Sequence, residues 1–555
     1  MPNELDRRYD EELAKVVGPG GRLIIGEDEL GRAIVTNFPA TLPVFFKTFA
    51  ALNAKNEAVV AGDERLSFAD LDRISDWLAQ GLSARGVGKG DRVAIAMRNC
   101  PSWIICYMGI LKAGAIATLL NGWWEPFEME HAILLADPKL IIADPPRAKR
   151  LAERCGRYET VCLPIEQPVE QAIGPLMDRF KGTAVTLPDV SPDDDATILF
   201  TSGSTGESKG ALSTHRAVTT GVYAYSIGLI VLKSLLEQDG NPPPVPRTLL
   251  SVPLFHVTGA VPVMLNSFVV GRCMVIMPKW DATEALKLIE KEKITYFVGV
   301  PTMSLELMNH PERKKYDLSS LKDITAGGAP RPVSHVERLK HEFPKAQPAL
   351  GYGLTETNAT GCANFWSSYA AKPASTGRAQ KPLVQVSILG PGDRPMPQGE
   401  VGEIGIRTAA NIKGYWKNPE ATAEMLTADG TIRTGDVGYL DEDGYLFIVD
   451  RKKEIIIRGG ENISAAEVEA ECYACESVAE AAVFGAVDER LGEVPVAVVH
   501  LKNGAQISEA DLRSFLDGKL AKFKIPERII FSSEPLPRLG TGKIDRRALK
   551  SQYAS

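Results

Sequence analysis

Ala196-Thr197-Ile198-Leu199-Phe200 is an apolar run of strand-forming character, and it passes directly into Thr201-Ser202-Gly203-Ser204-Thr205-Gly206-Glu207-Ser208-Lys209-Gly210. Three glycines, five hydroxyls and a lysine within ten residues give a backbone that can approach phosphate oxygens, with hydroxyl donors and one positive charge around them. The segment reads as a phosphate cradle. It is not a P-loop, because Lys209 follows Ser208 and precedes Gly210 where that motif needs Gly-Lys-Ser/Thr. A plain flexible Gly/Ser turn would need neither the lysine nor the strand before it.

Working outward, the pattern predicts a helix over Phe68 to Arg85, a strand over Val93 to Met97, a helix from Trp103 and a strand over Ile116 to Leu119. Similar apolar runs recur at Ile294 to Val298 and Asp323 to Ala326. Alternation of this kind predicts parallel sheets with helices on both faces. Gln238 to Arg247, with prolines at 242, 243 and 244, reads as a surface loop. Beyond about Pro382 the texture changes to short strands with turns at Pro391-Gly392-Asp393 and Asp441 to Gly444, a small β-rich subdomain. After the charged run Asp450 to Glu454, helices near Ala465 to Cys475 and Ser508 to Leu520 flank a strand near Val494 to Leu501. The fold expected is α/β: a large N-terminal domain of doubly wound sheets plus the β-rich subdomain over 1–450, and a mobile α+β domain over 451–555.

A chain of 555 residues outgrows one core, so several lobes are expected. The net charge is -7 with Lys and Arg scattered, which leaves no footprint for nucleic acid. Met1 to Lys15 lacks the apolar centre of a secretory signal. Of eight cysteines, the close pair Cys472 and Cys475 has no second pair to complete a zinc site, and reads as helix packing. Two apolar stretches, Trp103 to Leu120 and Thr248 to Gly271, raise the membrane question. Lys112 interrupts the first, and Pro253, His256 and Pro262 break the second, so both read as buried helix and strand.

The loop at 201–210 resembles the signature of the adenylate-forming superfamily of acyl-CoA synthetases, peptide-synthetase adenylation domains and firefly-type luciferases. Further motifs follow in that family's order: Pro253-Leu254-Phe255-His256, Gly327-Gly328-Ala329-Pro330, Gly351-Tyr352-Gly353-Leu354-Thr355-Glu356, Gly402-Glu403-Ile404, Thr434-Gly435-Asp436, Asp450-Arg451, Gly459-Gly460-Glu461-Asn462 and Gly540-Thr541-Gly542-Lys543. Ser208 departs from the family, which usually has proline there, and should change loop stiffness more than chemistry.

The resemblance implies ATP and Mg²⁺ as cofactors and coenzyme A as co-substrate. Attack of a carboxylate on the α-phosphorus of ATP gathers negative charge on phosphoryl oxygens, so cations and aimed donors matter more than a nucleophilic side chain. By resemblance Thr201, Ser202, Gly203, Ser204, Thr205, Gly206 and Lys209 cradle phosphate, with Gly328, Ala329, Gly351, Gly353 and Thr355 beside the nucleotide. Glu356 and Thr201 would serve Mg²⁺, Tyr352 adenine, and Asp436 and Arg451 the ribose. Lys543 is implied as the adenylating lysine, Lys453 as the hinge pivot, and Gly459 and Gly460 as the wall for an incoming pantetheine. On pattern alone Tyr352 could be core, Asp436 a turn residue and Arg451 a linker charge.

His256 stands where amino-acid-activating relatives commonly have aspartate, and resembles the family's gate beside the substrate carboxylate. A medium or long-chain fatty acid fits best; aryl and steroid-like acids stay open. Free coenzyme A is the simpler acceptor and a separate acyl carrier protein the alternative, with luciferase-like oxidation of the adenylate a third fate. A catalytically silent module would have lost Glu356 or Lys543, and both are present. The remaining expectations are a cytoplasmic enzyme with no transmembrane segment and no nucleic-acid partner. Peripheral membrane attachment and a homodimer are left open.

Overall fold

A computed structural model of the protein describes residues 3–182, 185–201, 208–329, 331–451, 454–458, 461–488, 490–517, 519–539 and 543–553. The strand expected at 196–200 spans Asp195–Thr201 and pairs antiparallel with Lys209–Thr214, Thr201 lying opposite Lys209. On its other side the sheet continues in parallel through Ile116–Leu119, Arg92–Ala96, Leu140–Ala143 and Thr160–Cys162. Gly414–Tyr415 pairs beyond Lys209–Thr214 and completes seven strands.

Local chemistry starts the helices between these strands. Ser67 accepts from Asp70 N and Asp70 returns the bond, a capping box that opens Phe68–Ala84. Pro101 stands at the first turn of Pro101–Lys112, where its missing N–H costs nothing. Lys112, which breaks the first apolar stretch, is buried and donates to Asp72 and Asp76 on the neighbouring helix, at 2.6 Å each. An interior charge is tolerated when it is paired in this way.

The second sheet has thirteen strands. Its parallel centre comprises Gln347–Gly353, Asp323–Gly327, Tyr296–Gly299, Arg247–Leu250, Cys273–Ile276 and Glu57–Ala61. The strands expected beyond Pro382 form around the anticipated turns. They are not a free-standing sheet: Gly377–Ala379 pairs with Tyr445–Arg451, Arg378 opposite Tyr445, so the ladder runs on into the centre.

Between the layers lies His215–Gln238, capped by Thr214 accepting from Ala217 N and packed against Glu4–Val17. It is long and apolar enough to cross a bilayer, and 72% of its most apolar window is buried inside the protein. The second apolar stretch becomes the strand Arg247–Leu250, a π-helical segment Gly259–Leu265 and the short helix Asn266–Val270. Pro262 sits inside the π-helical segment; with no N–H to give, it favours a wide, irregular turn.

The C-terminal part has its own sheet of Ile456–Arg458, Glu461–Ile463, Val478–Asp488, Gly492–Leu501 and Arg528–Ser532. One apolar cluster holds Val468, Leu512 and Leu516 with Cys472 and Cys475, and a second holds Phe484, Val496, Leu536 and Leu549. Both cysteines are free and buried.

Candidate active site

Thr201 ends one strand and Lys209 begins the next, so the hairpin holds them side by side at the rim of a cavity of about 3300 Å³. Lys209 Nζ lies 5.0 Å from the ring centroid of Tyr415, near enough for a cation–π attraction. The hydroxyl of that tyrosine donates to Glu356 Oε1 at 2.7 Å. Sequence reasoning passed over Tyr415. Its signal was faint, an aromatic after Gly414, and its place follows from sheet pairing: Ala211 lies opposite Tyr415 and Trp416 N donates to Gly210 O.

Glu356 sits in a single 3-10 turn, Thr355–Thr357, after the strand Gln347–Gly353. Its carbonyl accepts from Ile412 N at 2.9 Å, which locks the turn against the next motif. The two residues after the turn are strained, with Asn358 at φ 49 and Ala359 at φ 67. Asn358 is held there by donating to Ser213 Oγ and Ala410 O. Gly353 is obligatory, since a Cβ on it would lie 2.0 Å from Ala359 O. Left-handed residues beside a cavity that stay put because the surroundings over-determine them are a hallmark of functional sites.

Asp436 is 4% exposed, and its Oδ2 accepts from the hydroxyl of Tyr352 at 2.6 Å. Burial, and then the aspartate's charge, push the Tyr352 phenol well above its ordinary range. Arg451 lies opposite Asp436 in the strand register. Glu403 accepts from Gly435 N and so braces the turn before Asp436. Gly328, Ala329, Gly351, Gly353 and Thr355 line the same cavity, as do Val300 and His256.

His256 is partly buried, its Nε2 is shut from solvent, and it has no hydrogen-bond partner among the described residues. Burial, and then the charge of Lys543, lower its pKa to about 3, so the ring is neutral at pH 7. Lys543 arrives from the C-terminal part: a Cβ built on Gly328, whose φ is +75°, would lie 3.6 Å from Lys543 Cε and 4.0 Å from Nζ. Asp450 ties the two parts together by accepting from Ala465 N, at the start of Ala465–Tyr473. Ser202, Gly203, Ser204, Thr205, Gly206, Lys453, Gly459 and Gly460 lie outside the described residues.

Two anionic oxygens stand at separate points of the cavity. Glu356 has only Tyr415 among the described residues on Oε1, a hard oxygen donor of the kind Mg²⁺ takes. Asp436, paired with a neutral hydroxyl, suits a diol. Lysines approach from two sides. Separate family models fit this layout: the AMP-binding enzyme model matches residues 46–416 and the AMP-binding enzyme C-terminal domain model residues 467–543.

The chain belongs to the AMP-binding enzymes. This AMP-binding enzyme is 34% identical to a long-chain-fatty-acid–CoA ligase of Bacillus subtilis, over 92% of its own length and 96% of the relative's. It is 33% identical to a methyl-dioxo-octahydroindenyl-propanoyl:CoA ligase of Rhodococcus jostii, over 93% and 100%. Among solved structures it resembles ATP-bound MatB of Rhodopseudomonas palustris, at 29% identity and a TM-score of 0.80 over 93% of this chain and 99% of that one. The apo form of MatB, at the same identity and over 93% and 99%, gives 0.71. As a whole the AMP-binding enzyme is arranged more like the ATP-bound form. It is an acid–thiol ligase of the AMP-forming type, using ATP, Mg²⁺ and coenzyme A.

Proposed function

We propose that this enzyme joins a medium or long-chain fatty acid to coenzyme A in two steps, through an acyl-adenylate with release of pyrophosphate. The observation that carries this reading is the approach of Lys543 to Gly328 across the cavity that also holds Glu356, Asp436 and His256. That is the placement adenylation requires, a cation beside the phosphoryl group as charge develops.

In this reading the fatty acid's carboxylate lies beside His256, whose neutral ring offers a polar contact without competing for the charge. Thr201, Lys209 and the 202–206 segment grip phosphate, while Gly328, Ala329, Gly351, Gly353 and Thr355 let the nucleotide approach the backbone. Tyr352 faces adenine, and Asp436 and Arg451 take the ribose. Mg²⁺ would be held by Glu356 and Thr201 and would offset the charge of the phosphoryl oxygens. Residues 1–450 then carry the ATP and acyl sites, and residues 451–555 turn about Asp450 to Glu454 to bring Gly459 and Gly460 to the thiol. The link from Asp450 to Ala465 and the greater likeness to ATP-bound MatB support an adenylating pose.

The relative that acts on an indenyl propanoic acid favours a second reading, in which the acid is cyclic. Pyrophosphate release with ATP and Mg²⁺ across fatty, aryl, steroidal and amino acids, with and without coenzyme A, tests both. Acid-dependent release with acyl-CoA formed only when coenzyme A is present is the expected result. Release with no acyl-CoA would redirect the acyl group to a carrier protein, and no release with any acid would overturn the reading.

A further inference from the structure

The residues of the proposed site come from two sheets, and their spacing depends on what joins those sheets. Thr201 and Lys209 belong to the seven-stranded sheet, whereas His256 follows Arg247–Leu250 of the thirteen-stranded one. Arg92–Ala96, Ile116–Leu119 and Asp195–Thr201 run parallel, so the chain leaves all three at the same edge. Asn99 stands shortly past the first of them and Thr201 at the end of the third. Ligand-binding groups of α/β folds gather at this end of parallel strands.

Asn99 is 4% exposed. Its Nδ2 donates to Val252 O and its Oδ1 accepts from Leu254 N, at 2.9 Å each. The side chain thus holds the residues on either side of Pro253, one by its carbonyl and the other by its N–H. A carboxylate would lack the donor, and a hydroxyl would have to serve both groups from one atom. The same turn is closed from within: His256 N donates to Pro253 O at 3.1 Å, and Ala260 N to His256 O at 3.0 Å. Gly259 packs so closely that a Cβ on it would lie 2.2 Å from Pro253 O. Val252, Pro253 and His256 line the cavity, and Asn99 is not among its described lining residues.

The metal and phosphate side has ties of its own. Ile412 N donates to Glu356 O, Lys413 N to Leu212 O and Trp416 N to Gly210 O, and Asn358 Nδ2 donates to Ser213 Oγ. These bonds join the Glu356 turn to the hairpin of Thr201 and Lys209, and none of them involves the His256 turn. The two ends of the site are therefore secured separately.

We propose that Asn99 is a positioning residue for adenylation: by fixing the His256 turn of one sheet against the strand ends of the other, it sets how the acid's carboxylate lies relative to the phosphate grip. The inference rests on the ligase reading above, in which that carboxylate lies beside His256, and extends it to a residue that touches neither substrate. Once the acyl-adenylate has formed, carboxyl oxygen and phosphorus are bonded, and their relative placement no longer depends on the clamp.

The test measures both half-reactions of the intact enzyme with the acid it uses best. In Asn99→Ala, kcat/KM for the acid in pyrophosphate release should fall about tenfold to a hundredfold, the scale of a misplacement of about 1 Å. KM for ATP and the Mg²⁺ requirement should stay as in the wild type, and conversion of supplied acyl-AMP to acyl-CoA should be spared. Asn53→Ala is the control for a merely structural loss. Asn53 is half-buried and also ties down two carbonyls, Phe49 O at 3.0 Å and Phe268 O at 2.9 Å, so its loss should lower the urea midpoint and leave every one of these constants unchanged. Asn99→Gln keeps both groups on a longer stem, should show the same split, and decides the matter if the alanine variant does not fold. Equal loss in both half-reactions, a matching rise in KM for ATP, or no loss for the acid would overturn the inference and leave the ligase standing. No pyrophosphate from the wild-type enzyme with any acid would bring down the ligase reading and this inference with it.

Discussion

At the scale of single residues, Lys543 and Tyr415 make the sharpest claims. If Lys543 supplies charge only to adenylation, Lys543→Ala should lose about 2.7 to 4 kcal/mol of transition-state stabilisation, roughly a hundredfold to a thousandfold in rate. Pyrophosphate release should show that loss, while conversion of supplied acyl-AMP to thioester is spared; equal loss in both would contradict the assignment. Tyr415→Phe removes one donor from Glu356 Oε1. A hydrogen bond to a charged group is worth about 1.5 to 3 kcal/mol, so kcat/KM for ATP should fall about tenfold or more, with a higher Mg²⁺ requirement. An unchanged Mg²⁺ titration would count against Glu356 as the metal residue. Lys543 and Glu356 were legible because each stands in a run of several unusual residues. Tyr415 was not, because its partner comes from 59 positions away and only strand pairing brings the two together.

Among the elements, the turn after Gln347–Gly353 is the most constrained. A methyl group on Gly353 meets a backbone carbonyl at 2.0 Å, which no rotamer can relieve. Gly353→Ala should therefore cost at least the roughly 1 to 3 kcal/mol typical of overpacking, measured by urea unfolding, and should displace Glu356. The helices and strands of the large part were readable from apolar period and caps. Two features were not. The His215–Gln238 helix is apolar nearly all round, so it shows little of the one-sided pattern that marks a surface helix. The joining of the β-rich strands to the central sheet depends on Arg378 meeting Tyr445, a contact with no local sequence signature.

Acid should weaken the folded chain as a whole. Burial lowers the pKa of His215 to about 4, of His335 to about 4 and of His256 to about 3. The unfolded chain takes up protons at these positions near pH 6.5 and the folded chain refuses them, so stability is lost as pH falls from about 6.5 toward 4. Each group contributes up to about 1.4 kcal/mol per pH unit. Asp323, which keeps its proton up to about 6 in the folded chain, opposes the trend, as do Glu64 and Glu469, whose carboxyls burial also raises. Hydrogen-bonded carboxylates such as Asp70 and Glu342, held below their ordinary range, reinforce it. Urea midpoints between pH 7 and 4 should fall accordingly. His215→Asn, which keeps an acceptor near Leu42 N, should flatten the slope; an identical slope would show that this ring titrates normally.

The ladder through Arg378 and Tyr445 makes one hydrogen-bonded fabric of the strand carrying Gly327 and the strand carrying Asp436. The distance between Gly327 and Asp436 across the cavity is thus a property of strand spacing. It is fixed when the sheet forms, before either substrate arrives. On the proposed reading the two reactants would be aligned by architecture, and Lys543, which follows the last strand of a separate sheet, would be able to leave without disturbing the alignment it served.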